Sequence, residues 1–261
     1  MNCKICDAPR HVAFEHLVLG KYQSLYEFCE RCGLLQAVDP FWLDEAYDDA
    51  IAATDTGLVQ RNILNANLLT VLLATLFERG GRYLDVAGGY GMLTRMMRDN
   101  GFDFYWSDKY CSNLLARGFG VDATAPPFTA VTAFEVLEHL QDPIGFVKDA
   151  LASAQTRSIV FSTELFHGTP PEPATWWYYM FDAGQHISFY QPRTLHAIAD
   201  QCSLRCYSNG NIHLLTDRHI SPYLYRALTS PRLIKLFAPI IRQTMKSKTL
   251  QDHALLSKGI Q

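Results

Sequence analysis

The sequence has no long apolar run. Its richest stretch, Leu68 to Phe77, is too short and too mixed to cross a bilayer. It also has no excess of either charge. Formal net charge is -3 with 19% charged residues, so the chain as a whole offers no electrostatic reason to bind nucleic acid. The opening Met1-Asn2-Cys3-Lys4-Ile5-Cys6 lacks the basic and apolar segments of a secretory leader. No internal repeat and no low-complexity tract interrupts the 261 residues. These absences predict a cytoplasmic globular chain of one large domain or two smaller ones, with 48% hydrophobic residues available for a core. Without an export signal, the seven cysteines read as thiols or metal ligands and not as disulfides.

Four of those cysteines fall within residues 1–40, as Cys3-x2-Cys6 and Cys29-x2-Cys32. Short β-like stretches, His11-Val12-Ala13-Phe14 and Tyr26-Glu27-Phe28, lie between the pairs. One C-x-x-C alone also suits redox chemistry. Two pairs flanking a hairpin point to tetrahedral Zn²⁺, and four thiolates leave no open position, so the expected role is structural. Gly33 supplies the tight turn after Cys32. Cys111, Cys202 and Cys206 are expected as buried small apolar residues.

From Pro40 to about Asp55 the chain is acidic and aromatic. A helix is predicted over Leu58 to Arg79, where Leu64, Leu68, Val71, Leu72 and Leu76 recur at helical spacing before Gly80-Gly81. Strand and helix signals then alternate. The strands are Arg82 to Ala87, Phe102 to Ser107, Val131 to Val136, Arg157 to Thr163, Leu204 to Tyr207 and Ile212 to Thr216. That alternation predicts βαβ units and a mostly parallel sheet.

The sharpest local feature is Tyr83-Leu84-Asp85-Val86-Ala87-Gly88-Gly89-Tyr90-Gly91, a strand, a small-residue turn and a helix start. Such a turn lets a ligand approach the backbone, and the helix behind it offers free N–H groups to an anion such as the carboxylate of a methionine moiety. A dinucleotide fingerprint needs small residues at 87, 89 and 92, but 92 is Met. Asp85 at the strand end suits an ammonium group better than a pyrophosphate. Asp108 follows the next strand, where nucleotide-binding sheets place a carboxylate for the two vicinal ribose hydroxyls. Asp122, after Phe119-Gly120-Val121, is placed to meet an adenine amino group.

A second motif, Val131-Thr132-Ala133-Phe134-Glu135-Val136-Leu137-Glu138-His139-Leu140-Gln141-Asp142-Pro143, stands at the right separation from the first. Together they resemble the class I S-adenosylmethionine-dependent methyltransferases over roughly residues 60–217. One departure is Ala87, where that family usually has its first glycine. The resemblance implies an α/β, Rossmann-like, seven-stranded, mostly parallel sheet. It also implies donor contacts from Asp85, Gly88, Gly89, Gly91, Asp108, Asp122, Phe134 and Glu135. The expected domains are a zinc ribbon (1–40), a methyltransferase domain with an N-terminal helical lid around Tyr47 to Arg61 (41–217), and a basic helical tail (218–261). A zinc ribbon before such a domain is similar to the sugar C-methyltransferases, which carry a further C-terminal domain that this chain has no room for.

Methyl transfer is an in-line displacement at a sulfonium, so positioning dominates, and an oxygen or carbon acceptor also needs a base. The long connection Phe166 to Tyr190 is rich in aromatics, notably Trp176-Trp177-Tyr178-Tyr179, and is expected to serve as a lid over a sugar-like or planar acceptor. His186 is the first candidate base; His139 and Glu135 are alternatives, and His167 is weaker. The sugar C-methyltransferases read Tyr-His-Glu-His where this chain reads Ala183-Gly184-Gln185-His186, so O-methylation is favoured over C-methylation. The expected acceptor is a small molecule, a nucleotide sugar or a glycan-linked intermediate. The rivals are a protein or lipid-linked acceptor and a catalytically silent scaffold, though Asp85, Gly89, Gly91 and Asp108 argue for an intact donor site.

Residues 218–250 hold seven cations and no Asp or Glu, interleaved with Tyr223, Leu224, Leu236, Phe237 and Ile240. This tail is expected as basic amphipathic helices packed on their own domain. Contact with an anionic membrane surface, a partner or a phosphorylated acceptor is the alternative.

Overall fold

The computed structural model describes residues 2–47, 55–121 and 127–258. In chain order the elements are β1 (His11–Val18), β2 (Tyr22–Phe28), β3 (Leu35–Ala37), α1 (Leu43–Ala46), α2 (Leu58–Leu76), β4 (Arg82–Val86), α3 (Met92–Asp99), β5 (Asp103–Ser107), β6 (Ala130–Ala133), α4 (Pro143–Ser153) and β7 (Ser158–Ser162). They continue with β8 (Ser188–Phe189), α5 (Pro192–Gln201), β9 (Arg205–Ser208), β10 (Ile212–Thr216), α6 (Pro222–Leu228), α7 (Pro231–Thr244) and α8 (Thr249–Lys258). Two compact units emerge, one of residues 1–54, 134–149 and 160–219, the other of 55–133, 150–159 and 220–261. Each is thus assembled from separated stretches of chain.

The first unit contains a four-stranded sheet in the order β1-β2-β3-β8. Strand β2 alternates: Ser24, Tyr26 and Phe28 are buried while Gln23 and Leu25 face out, as a half-buried strand requires. Strand β3 pairs antiparallel with β2 and, on its other edge, with β8, matching Leu35 to Phe189 and Gln36 to Ser188. The buried Gln36 amide seals this junction, donating to Ser188 Oγ at 2.9 Å and to the Gln141 carbonyl at 3.1 Å. Tyr26, Phe28, Leu35, Trp42, Phe166, Tyr178, Tyr179, Ile187 and Phe189 form one core. The aromatic stretch expected as a lid is therefore mostly the interior of the ribbon's own sheet. Trp177, 69% exposed, is the aromatic left at its surface.

A six-stranded sheet runs in the order β5-β4-β6-β7-β10-β9. The pairs β4–β5 and β4–β6 are parallel, and β10–β9 is antiparallel. Seven strands were expected, and the described residues contain six. The difference falls at Phe119-Gly120-Val121, which meets β5 in a single parallel bridge between Trp106 and Gly120. Three residues with a central glycine give the ladder little to hold. Asp122 follows directly and lies outside the described residues, as do residues 48–54 of the expected lid.

In the second unit the tail is tied down by buried charge. Arg98 of α3 makes two hydrogen bonds to Asp252 of α8, Nε to Oδ2 at 2.8 Å and Nη2 to Oδ1 at 2.7 Å, while Nη1 reaches Asp103 Oδ1 at 2.9 Å. The guanidinium also lies 3.6 Å from the Phe119 ring centroid. Both Arg98 and Asp252 are almost wholly buried. No described helix is long and apolar enough to cross a membrane.

Removing Asp252 leaves buried Arg98 with Asp103 as its remaining counter-charge, which places the cost at about 3 kcal/mol, the lower end for broken buried pairs. Asp252→Ala is expected to lose that much in urea unfolding, while the paired change Arg98→Met with Asp252→Leu recovers most of it.

Candidate functional site

The turn after β4 runs through left-handed backbone. Ala87, Gly89 and Gly91 all have positive φ, at 54°, 53° and 83°. For Ala87 this conformation costs on the order of 1 kcal/mol. Gly88 has no space for a side chain: a Cβ there would come within 2.8 Å of Asp85 Oδ2 and 2.9 Å of Trp106 Cδ1. The indole of Trp106 donates to the Gly89 carbonyl at 2.8 Å, and the Gly89 N–H donates to Asp108 Oδ2 at 2.9 Å. Gly91 then caps α3, whose opening N–H groups point back toward the turn.

Asp85 lies beneath this turn and is 2% exposed. Thr132 donates to its Oδ1 at 2.7 Å and Thr94 to its Oδ2 at 3.3 Å. Burial raises its carboxyl to about 7, against those two hydroxyls, and the charge of Asp108 adds to the rise. Asp108 is partly exposed. Besides Gly89, its carboxylate accepts the Tyr110 and Cys111 N–H groups on Oδ1, each at 2.7 Å. Of roughly four acceptor positions on a carboxylate, one remains, on Oδ2. The residues fit the donor's needs in kind: an unhindered backbone turn, a helix N-terminus and a carboxylate with one acceptor position left.

The other candidates belong to the first unit. Strand β6 ends earlier than expected because Glu135 takes φ 55°. Its side chain is exposed and held by Ser162, whose hydroxyl donates to Oε1 at 2.6 Å and accepts the Glu135 N–H at 2.9 Å. A non-glycine residue held at positive φ marks a position that the surroundings constrain. Nearby Glu164 is raised by burial and then by the charge of Glu135. Phe134 is half-buried and Leu137 wholly buried.

His139 and His186 come together, their rings perpendicular with centroids 4.9 Å apart. Ligating atoms of Glu138, His139 and His186 lie within 4.8 Å of one another. His186 is buried, and its Nδ1 donates to the Tyr178 carbonyl at 2.7 Å, which leaves Nε2 as the acceptor nitrogen. His139 Nδ1 lies 2.8 Å from the Tyr47 hydroxyl and 3.1 Å from the Gln185 carbonyl. Burial, then the adjacent His186, lower its pKa to about 3, so the ring is neutral. His167 is exposed and apart from this group. The sequence did not reveal Ser162 or Thr94, and it marked Thr132, Tyr47 and Tyr178 only as members of longer stretches, because their roles depend on spatial neighbours.

Cys3, Cys6, Cys29 and Cys32 place all four Sγ atoms within 4.8 Å of one another, the shortest separations being 3.4 Å for Cys3–Cys32 and Cys6–Cys29. A tetrahedron with Zn–S bonds of about 2.3 Å has edges of about 3.8 Å, so the donor set fits zinc. The two knuckles repeat one backbone turn. Asp7 (φ 58°) donates its N–H to the Cys3 carbonyl and Gly33 (φ 79°) to the Cys29 carbonyl, both at 2.8 Å. Cys202 is buried, and Cys111 and Cys206 are partly so.

A family model described as a methyltransferase domain matches residues 60–209, more than half of the chain. No curated protein sequence matches. Among solved structures, TnmH is similar at 16% identity and a TM-score of 0.46, over 69% of this chain and 62% of that one. The magnesium protoporphyrin IX methyltransferase of Synechocystis PCC 6803 with bound SAH is similar at 14% and 0.42, over 66% of this chain and 90% of that one. Human N-acetylserotonin methyltransferase in complex with SAM is similar at 13% and 0.44, over 69% and 66%. The chain thus spans about three fifths of the length of TnmH. At these levels the acceptors of those proteins remain properties of those proteins.

The buried histidines set a pH dependence. His213, bonded to Ser208 Oγ and the Thr163 carbonyl, is lowered to about 4 by burial. The unfolded chain takes up that proton below about pH 6.5 while the fold does not, so stability is flat above 6.5 and falls with pH toward 4, by at most about 1.4 kcal/mol per pH unit. Asp85 titrates in the opposite sense and is common to both proteins compared. Urea midpoints are expected to show His213→Gln losing about 1–2 kcal/mol less than wild type between pH 6.5 and 5; parallel slopes contradict the assignment.

Proposed function

The chain belongs to the methyltransferase-domain family, and on that premise we propose that it is an S-adenosylmethionine-dependent methyltransferase acting on a hydroxyl of a small-molecule acceptor, a sugar or glycan-linked intermediate. The donor, when bound, would supply a sulfonium methyl group open to in-line attack by an acceptor oxygen, with the thioether sulfur as the leaving group. Gly88 to Gly91 and the start of α3 receive its carboxylate. Asp108 accepts one ribose hydroxyl on the position left on Oδ2. Asp85 fixes the turn from beneath through Thr94 and Thr132, and Phe134 and Asp122 remain donor contacts expected from the sequence alone.

The observation that carries the reaction type is Glu135, an exposed carboxylate held in a strained conformation by Ser162. We assign it the acceptor proton. A second reading gives that role to His186, whose fixed Nδ1–H leaves a basic Nε2, although the ring is buried. Transfer of labelled methyl to a panel of nucleotide sugars and glycans tests both. Glu135→Gln is expected to lower kcat by about 10²–10⁴-fold with donor affinity within a few fold of wild type. Full activity in that variant, with its loss in His186→Asn, moves the proton to His186.

Cys3, Cys6, Cys29 and Cys32 hold a structural zinc ion in this reading. Metal analysis is expected to find about one zinc per chain, and chelation to lower the melting temperature of the ribbon sheet. Metal-free protein with unchanged melting sinks it.

A further inference from the structure

We propose that the outward face of α7, with the exposed end of α6, docks on an anionic phospholipid membrane. The second unit alone carries this surface, and it requires nothing of the methyl-transfer reading. Helix α7 is apolar on two sides. Ala238 is buried and Ile241 partly buried against the unit. Leu236, Phe237 and Ile240 point the other way and are 56%, 42% and 50% exposed. Spaced i, i+1 and i+4, they share one sector of about 100°. The exposed half of this row is apolar surface that packing α7 onto its own unit does not use.

Cations border that row. Arg232 is exposed one turn before it, Lys235 is exposed immediately before it, and Arg226 is exposed on α6. None of the three takes part in an ion pair among the described residues. Residues 218–250 contain no Asp or Glu, although the whole chain carries a net charge of -3. Tyr223 of α6, 83% exposed, adds an amphipathic ring of the kind that settles at headgroup level. The face is held in place, since α8 beyond it is locked to α3 through Asp252 and Arg98.

The chemistry selects the occupant. A second copy would set the same cations against themselves. A nucleic acid would satisfy the cations and leave the apolar row against phosphate. An anionic bilayer surface takes both, with lysine and arginine stems lying along the headgroups and the apolar row entering the acyl boundary. No described helix can span a membrane, so the contact is peripheral.

Sedimentation of the full chain with vesicles tests this. It is expected to pellet with phosphatidylcholine vesicles containing phosphatidylglycerol, to stay in solution with phosphatidylcholine alone, and to be released by salt. Arg232→Gln with Lys235→Gln should weaken partitioning about 25-fold, roughly five-fold per cation. Leu236→Ser with Phe237→Ser should weaken it roughly tenfold or more at low salt, both variants melting as wild type does. Wild-type protein left in solution with anionic vesicles overturns the proposal. So does partitioning that neither variant changes, or an effect of the apolar variant on solution mass alone, which reassigns the face to a second copy.

Discussion

Between β4 and α3 the backbone passes from strand to helix in five residues above a buried carboxyl, and much of the second unit is organised around that constraint. Asp85 has no water to solvate it, so it takes hydroxyls from Thr132 on β6 and Thr94 on α3. The same carboxyl leaves Gly88 no room for a Cβ. Trp106 and Asp108, from β5 and the chain just beyond it, grip Gly89 by its carbonyl and its N–H. One turn thus pins three strands and a helix, and it does so with backbone exposed where a ligand's anionic end would lie.

The cysteine ribbon has a comparable reach in the first unit. Strand β3 offers its second edge to β8, and the segment just before β8 carries His186. The Ala37 N–H donates to the Ile187 carbonyl at 2.9 Å, and the Ile187 N–H donates to the Glu138 carbonyl at 2.8 Å. The Thr194 hydroxyl, part of the capping box of α5, also donates to the Cys32 carbonyl at 2.8 Å. A cysteine knuckle so placed does more than close a hairpin. It fixes the backbone on which the imidazole pair is mounted.

What the chain revealed by itself was what short-range chemistry encodes. The two cysteine knuckles, the turn at Ala87 to Gly91 and the strand before Glu135 are marked by residue type at fixed spacing, and each was readable. Ala87 adopts the same left-handed backbone as the glycines beside it, so the missing glycine altered strain and not geometry. The pairing of β3 with β8 joins residues some 150 positions apart, as the Gln36–Ser188 bond shows with a separation of 152, and no local pattern announces it. That pairing is why the Trp176 to Tyr179 cluster, expected as a lid, lies in a core: aromatic density has the same composition either way. Phe119 to Val121 forms one bridge, because its length and central glycine decide its pairing. The tail's basic, apolar pattern was plain, but only the fold shows that one apolar side of α7 is left outward.

The central claim is a donor site organised on the turn above Asp85 and read out through Asp108. The most direct measurement is calorimetric titration of the folded protein with S-adenosylhomocysteine, beside an Asp108→Ala variant of unchanged melting temperature. The account predicts saturable binding near one equivalent per chain, weakened by about tenfold or more in the variant, since a hydrogen bond to a charged group contributes about 1.5–3 kcal/mol. Folded wild-type protein that binds nothing, or a variant that binds as well as wild type, would contradict it.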